Sequence, residues 1–303
     1  MRIKVLGSSA GGGLPQINCN CRNCIEARNG NPAVRKRTQS CVAVSGDGRR
    51  WTLLNAAPDL RQQIEATPQL WPQLAAGLRT SPIASIILTN ADVDHVAGLL
   101  SLREAVGFTL YGSETVLAAL AANPIFAVLD PAHVARVPLR LERSLPIAGG
   151  LTVEAFAVPG KIALYLESSA PGFGTRTGDT IGLRISDPAS GRAFHFIPGC
   201  AAIDDTLAAR LRGSPLVLFD GTLYTDEEMI VQGLSSKTGQ RMGHMAMTGP
   251  QGSITAFAAL QVKRRVFVHM NNSNPALRED SPERAAVERA GWEIAWDGME
   301  IEL

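Results

Sequence analysis

The chain is short of several residue types, and each shortage narrows what it can be. Cysteine is scarce, at five in 303 residues, and three of the five fall within one six-residue stretch. An odd, clustered set does not build a disulfide framework. It points instead to a metal ligand set. Charge of one sign is not in excess: 29 basic residues face 28 acidic ones, for a net charge of +1. No basic block is present, so nucleic acid and anionic membrane are not expected as partners. Long apolar runs are missing. The longest, Ile83–Leu88 and Leu216–Phe219, are strand-sized, far below the roughly 20 residues a membrane span needs. The opening Met1-Arg2-Ile3-Lys4-Val5-Leu6 lacks an extended apolar leader. The expectation is a soluble cytoplasmic protein.

Hydrophobic residues make up 45% of the sequence, enough for a large core. Ser40–Ser45 and Trp51–Asn55, joined by Gly46-Asp47-Gly48, read as a hairpin. Ile83–Leu88, Leu216–Phe219 and Arg265–His269 read as buried strands. Phe108–Tyr111, Val137–Leu141, Leu151–Val158, Ala163–Glu167, Gly182–Ile185 and Ala193–Ile197 read as further strands. Helices are expected from Asp59 to Ala66, from Val96 to Val106, after the capping residue Ser113, over Ile254–Leu260 and over Glu283–Ala290. Gln16–Arg37 reads as a polar loop. Strands that alternate with helices but also form hairpins fit two mixed sheets packed face to face with helices outside. No linker divides residues 1–303, so one domain is expected.

The segment Thr89-Asn90-Ala91-Asp92-Val93-Asp94-His95 follows a buried strand and precedes a helix. Loops at the ends of such strands are where α/β architectures build their sites. Two acids and a histidine there offer metal ligands, or simply a solvated loop that caps the next helix. Cys19, Cys21 and Cys24 place three thiols in one tight loop. Thiolates in that number select zinc, which needs a fourth ligand in a structural site. Asp220 ends a buried strand before Gly221-Thr222 and is a candidate site residue. His244 is a candidate for substrate contact or proton shuttling, or else an ordinary loop histidine. His195 reads as structural and His133 as surface. Lys161, Arg176 and Lys237 are candidates for pairing with an acidic substrate. Asp179-Thr180 reads as a turn.

Four landmarks carry a resemblance: Leu6–Gly13, Leu53–Asp59, Thr89–His95 and Val266–His269. Together they resemble the metallo-β-lactamase superfamily, whose loop motif is Thr-His-x-His-x-Asp-His. The resemblance implies an αββα sandwich. Gly11–Gln16, the cysteine trio and His269-Met270-Asn271-Asn272-Ser273-Asn274-Pro275 are similar to the branch of that superfamily concerned with the biosynthesis of pyrroloquinoline quinone (PQQ). Asn90 and Asp92 stand where the motif has histidines, Val158–Lys161 where a third histidine is usual, and Pro198-Gly199-Cys200 where a bridging acid is usual. The resemblance therefore implies loss of the first zinc pocket and survival of the second, with Asp94, His95 and His269 as ligands.

Two histidines and one carboxylate with open positions is the set used by non-haem iron(II) oxygenases, although zinc accepts it too. Asp92 would be a further ligand, an orienting group or a proton acceptor, and Asn90 would hydrogen-bond substrate or a metal-bound water. In related phosphodiesterase-like members a late histidine completes the cysteine zinc. Here Asn272 stands at that place, leaving His269, Asn272 or a water as the fourth ligand. The expected function is iron(II)- and dioxygen-dependent oxidation of the tyrosine ring of a cross-linked Glu-Tyr precursor of PQQ. The alternatives are a carrier that helps move PQQ or its precursor to the periplasm, and a residual metallohydrolase. A small-molecule partner is implied in each case, and a homodimer remains open.

Overall fold

Strand residues fix the architecture by their alternation. In Leu216–Asp220, Leu216 and Leu218 face one way, Val217 and Phe219 the other, and all are buried. A strand covered on both faces must lie in the middle of layers. The computed structural model, which describes residues 1–104, 106–167 and 176–303, shows those layers.

One sheet contains β1 (Arg2–Gly7), β2 (Cys41–Ser45), β3 (Trp51–Leu54), β4 (Ile83–Ile87), β5 (Phe108–Gly112), β6 (Val134–Pro138) and β14 (Glu300–Glu302), in the order β14-β1-β2-β3-β4-β5-β6. The other contains β7 (Ser144–Pro146), β8 (Thr152–Ala157), β9 (Ile181–Asp187), β10 (Arg192–Ile197), β11 (Leu216–Asp220), β12 (Arg264–Val268) and β13 (Glu293–Ile294), in the order β13-β12-β11-β10-β9-β8-β7. Val42, Val44, Leu54 and Ile87 from the first sheet meet Phe194, Phe196, Leu218, Val266 and Val268 from the second. Each such fully buried side chain contributes roughly 1.5–3 kcal/mol. Separate apolar clusters cover the two outer faces, around Leu53, Ile86 and Leu110 on one side and around Val217, Phe267 and Trp292 on the other.

The hairpin forms as its sequence predicts. Ser45 Oγ accepts from Gly48 N at 2.9 Å, and Asp47 Oδ1 accepts from Arg49 N and Arg50 N at 2.8 Å each. Ser113 caps the helix Glu114–Ala122 through Val116 N.

Four segments differ from their sequence readings. Ala163–Glu167 is not a strand: Leu164–Leu166 makes a single 3₁₀ turn. Val96–Val106 is not one helix. A four-residue helix, Val93–Val96, passes into a 3₁₀ segment, Ala97–Leu102. Gly98 explains the close fit there, since a Cβ would lie 2.1 Å from the Ala57 carbonyl oxygen. The fourth strand of the parallel run β3-β4-β5-β6 lies at Val134–Pro138, earlier than Val137–Leu141, because its register is set by β5. Finally, Gln16–Arg37 is not all loop but contains the helix Arg22–Arg28. Among the described residues no helix is long and apolar enough to cross a membrane.

β3-β4-β5-β6 and β10-β11-β12-β13 pair in parallel, whereas the remaining pairs are antiparallel. The segments that follow β4, β10, β11 and β12 supply the residues described next.

Candidate metal centre

Asn55 closes β3 with φ of 67°, a conformation asparagine tolerates better than most residues. Its side chain binds Thr89 twice: Oδ1 accepts from Thr89 N at 2.9 Å, and Nδ2 donates to Thr89 Oγ1 at 3.0 Å. This fixes the start of the loop after β4. Asn90 Oδ1 accepts from His95 Nδ1 at 2.6 Å. The proton therefore sits on Nδ1, and Nε2 keeps a lone pair. That Nε2 is buried and has no hydrogen-bond partner. A buried polar atom without a partner is costly, and this one lies 3.9 Å from Asp94 Oδ2.

His269 arrives from the other sheet. Strand alternation would send residue 269 to the Phe267 face. Its left-handed φ of 57° breaks that alternation, and its ring lies 5.2 Å from that of His95. His269 Nε2 is 3.1 Å from Asp94 Oδ2. Two atoms each about 2.1 Å from one ion lie about 3.0–3.4 Å apart, so the spacing suits a shared metal. Gly11 from the glycine turn lies against the same carboxylate, where a Cβ would come 3.6 Å from Oδ2.

A second network orients His269. Thr222 Oγ1 donates to Asp220 Oδ1 at 2.6 Å and accepts from His269 Nδ1 at 2.8 Å. His244 Nδ1 donates to Asp220 Oδ2 at 2.7 Å, and Cys200 N donates to the same oxygen at 2.9 Å. The His244 ring stacks 5.2 Å from that of His269. Donor atoms of Asp220, His244 and His269 thus also lie within 4.8 Å of one another.

Charge follows this geometry. Burial alone would raise the Asp94 carboxyl, but the adjacent imidazoles in their protonated forms, His95 first and then the hydrogen-bonded His269, outweigh it and hold Asp94 well below the usual carboxylate range. Burial pushes His95 down to about 4, so the imidazole is neutral and able to ligate. Burial and then the Asp94 charge raise Asp92 above the usual range. Asp92 Oδ1 accepts from Leu164 N at 3.3 Å. Asn90 therefore faces His95, and Asp92 faces the Leu164 turn.

The cysteine loop meets the chain beyond His269. Cys19, Cys21 and Cys24 place their sulfurs within 4.8 Å of one another. Asn272 Nδ2 lies 3.1, 3.4 and 3.3 Å from the three sulfurs in turn. Which end of an amide is nitrogen is an assignment made from hydrogen bonding. The terminal amide group of Asn272 thus caps the thiol triangle, while His269 faces Asp94. Asn23 Nδ2 donates to the carbonyls of Asn272 and Asn274 at 2.9 Å each and docks the helix Arg22–Arg28. Burial works against the Cys19 thiolate, but hydrogen bonds from Cys21 N and the neighbouring side chains hold its pKa below the usual value. Cys21 is pushed up to about 12 by burial and by its neighbouring thiols. Three sulfurs gathered this closely form a thiolate set that a cation such as zinc fits.

A profile of the beta-lactamase superfamily domain matches residues 50–270. The chain is 51% identical to coenzyme PQQ synthesis protein B of Xanthomonas oryzae pv. oryzae (strain MAFF 311018), with all of both chains aligned. It is 50% identical to the protein of that name from Methylobacterium sp. (strain 4-46), also over all of both chains. The chain belongs to the coenzyme PQQ synthesis protein B family. The crystal structure of Zn2+-bound PqqB from Methylobacterium extorquens is similar with a TM-score of 0.96, at 49% identity and over 100% of each chain. A diphosphatase of the PhnP family shares the fold, with a TM-score of 0.68 at 20% identity over 100% of this chain and 97% of that one.

The structure gathers Asp94, His95 and His269 at one point, with Asn90, Asp220 and His244 around them. His195 stands apart, its Nδ1 on Ser214 Oγ at 3.1 Å. His133 is exposed, and Asp179-Thr180 lies in a turn and bend. Thr222, which links Asp220 to His269, escapes a reading based on metal-ligand residue types. Its signal would be a hydroxyl two residues after a strand-terminal aspartate, where Oγ can close a local turn.

Proposed function

We propose that the chain acts in PQQ biosynthesis as a metal-dependent oxygenase on the tyrosine ring of a cross-linked Glu-Tyr precursor. The observation that supports this most is the buried, partnerless Nε2 of His95, which shares Asp94 Oδ2 with His269 Nε2. Asp94, His95 and His269 would hold iron(II), and Cys19, Cys21, Cys24 and Asn272 would hold a structural zinc. When bound, the iron supplies open positions for dioxygen and redox chemistry. Insertion of one oxygen atom into a ring C–H bond consumes two electrons and two protons from an external reductant and releases water.

The protein's own residues prepare the site. Asn90 accepts from His95 Nδ1 and Thr222 from His269 Nδ1, so a metal would take both Nε2 atoms, replacing the proton that His269 Nε2 shares with Asp94. Asp220 holds His244 by Nδ1, so its Nε2 is available to accept a proton from substrate. Asp92 is the second proton acceptor. The hydrolase reading is disfavoured by Asn90 and Asp92, which stand where the superfamily motif has histidines, by Val158–Lys161 at the third histidine and by Pro198-Gly199-Cys200 at the bridging acid.

The test is anaerobic reconstitution with iron(II) or with zinc, followed by air, a chemical reductant and the diamino-acid substrate. Mass spectrometry should show gain of one oxygen atom with iron alone. Tight PQQ binding with no dioxygen consumption in the iron-loaded protein would instead establish the carrier reading.

A further inference from the structure

We propose that Lys161 and Arg241 form a carboxylate-recognition pair at the mouth of the metal site, occupied by Glu167 until a substrate carboxylate displaces it. This rests on the function proposed above and specifies its substrate as an aromatic ring bearing carboxylates.

Lys161 lies on the segment after β8, where the superfamily motif has a metal-binding histidine. Its aliphatic stem crosses Gly243, the neighbour of His244. A Cβ at Gly243 would lie 2.7 Å from Lys161 Cγ, and φ there is +86°, so the crossing needs glycine. Thr180 Oγ1 donates to the Lys161 carbonyl at 3.1 Å. Three residues further on, Leu164 N donates to Asp92. The segment from 161 to 164 therefore spans from the His244 side of the metal site to the Asp92 side.

Glu167 sits between two cations. Its Oε1 is 3.6 Å from Lys161 Nζ, and its Oε2 is 3.6 Å from Arg241 Nη2. Charge-assisted hydrogen bonds run at about 2.7–2.9 Å. Glu167 is thus attracted to Lys161 without a close bond to its ammonium, and a ligand carboxylate in full contact with Lys161 Nζ would replace it there favourably. Leu164, Tyr165 and Leu166, the residues that lead into Glu167, present exposed surface. This apolar margin suits a ring whose carboxylates lie at the cations.

The probe is PQQ, a tricarboxylate, with its trimethyl ester as the uncharged control. Equilibrium dialysis is run on the full chain with measured metal content. Lys161→Met should weaken PQQ binding roughly ten- to a hundredfold, the worth of a hydrogen bond to a charged group, and leave ester binding unchanged. Glu167→Gln should tighten PQQ binding. The proposal is overturned if wild type does not bind PQQ, if Lys161→Met binds it as wild type does or loses the ester equally, or if Glu167→Gln weakens it. Because the readout is binding without turnover, an absent oxygenase activity would not be mistaken for failure of this pair.

Discussion

Glu228 offers the sharpest energetic test. Its carboxylate is buried on the short helix Glu228–Val231, where Oε2 accepts from Tyr224 N at 2.7 Å and Oε1 accepts from Ser273 Oγ. Ser273 follows Asn272, so Glu228 supports the segment that carries both His269 and the cap of the thiol triangle. Burial pushes the Glu228 carboxyl up from 4.5 to about 7, against those hydrogen bonds. At about 1.4 kcal/mol per unit, the displacement amounts to about 3 kcal/mol. The sign follows from proton binding. Below pH 4.5 the group is protonated in both folded and unfolded chains. Between pH 4.5 and about 7 the unfolded chain ionises first, so stability falls as pH rises. Above that range the full loss is present.

Glu228→Gln removes this titration while keeping the side chain's shape. Urea unfolding of both proteins, freed of metal by chelator, should show the variant gaining on wild type by about 3 kcal/mol between about pH 4 and pH 8. The comparison cancels every other titrating group. A stability difference that stays flat with pH, or that moves in favour of wild type as pH rises, would refute the reasoning.

Other outcomes follow from the same geometry. His269→Ala should lose the metal held with Asp94 and His95 while the cysteine-bound ion remains, seen as one metal fewer per chain by elemental mass spectrometry. Asn272→Ala should weaken only the cysteine-bound ion, and Asn272→His should restore it; equal retention of zinc by Asn272→Ala would refute the cap assignment. Asn90→Ala frees the His95 ring and should reduce active-site metal affinity by about 10–100-fold, measured by competition with a chromogenic chelator. Leu218→Ala empties part of the layer between the sheets and should cost about 2–5 kcal/mol in urea unfolding.

Much of the fold is legible in the sequence because the buried strands announce themselves locally. Ile83–Ile87 and Leu216–Asp220 are short apolar runs with turn signals on both sides, and both are strands. The errors fall where tertiary contacts override local pattern. Ala163–Glu167 has the apolar content of a strand but is drawn into a 3₁₀ turn whose Leu164 N faces Asp92. The helix Arg22–Arg28 lies in a polar stretch with no apolar stripe to reveal it. It is docked by Asn23 and the cysteines against the Asn272 segment.

By itself the sequence determined the donor types. It supplies aspartate and histidine on one strand-end loop, a histidine at another strand end, and three cysteines in a tight cluster. Side-chain chemistry is a local property, so it is visible without coordinates. Only the tertiary structure decided which donors face one another. His269 and Asp94 are separated by 175 positions and meet through a 3.1 Å contact. His269 reaches it because a left-handed backbone turn breaks the alternation of β12. Three residues later, Asn272 turns to the thiols instead. That division of neighbouring residues between two centres depends on backbone angles and on the packing of two sheets, neither of which sequence spacing encodes.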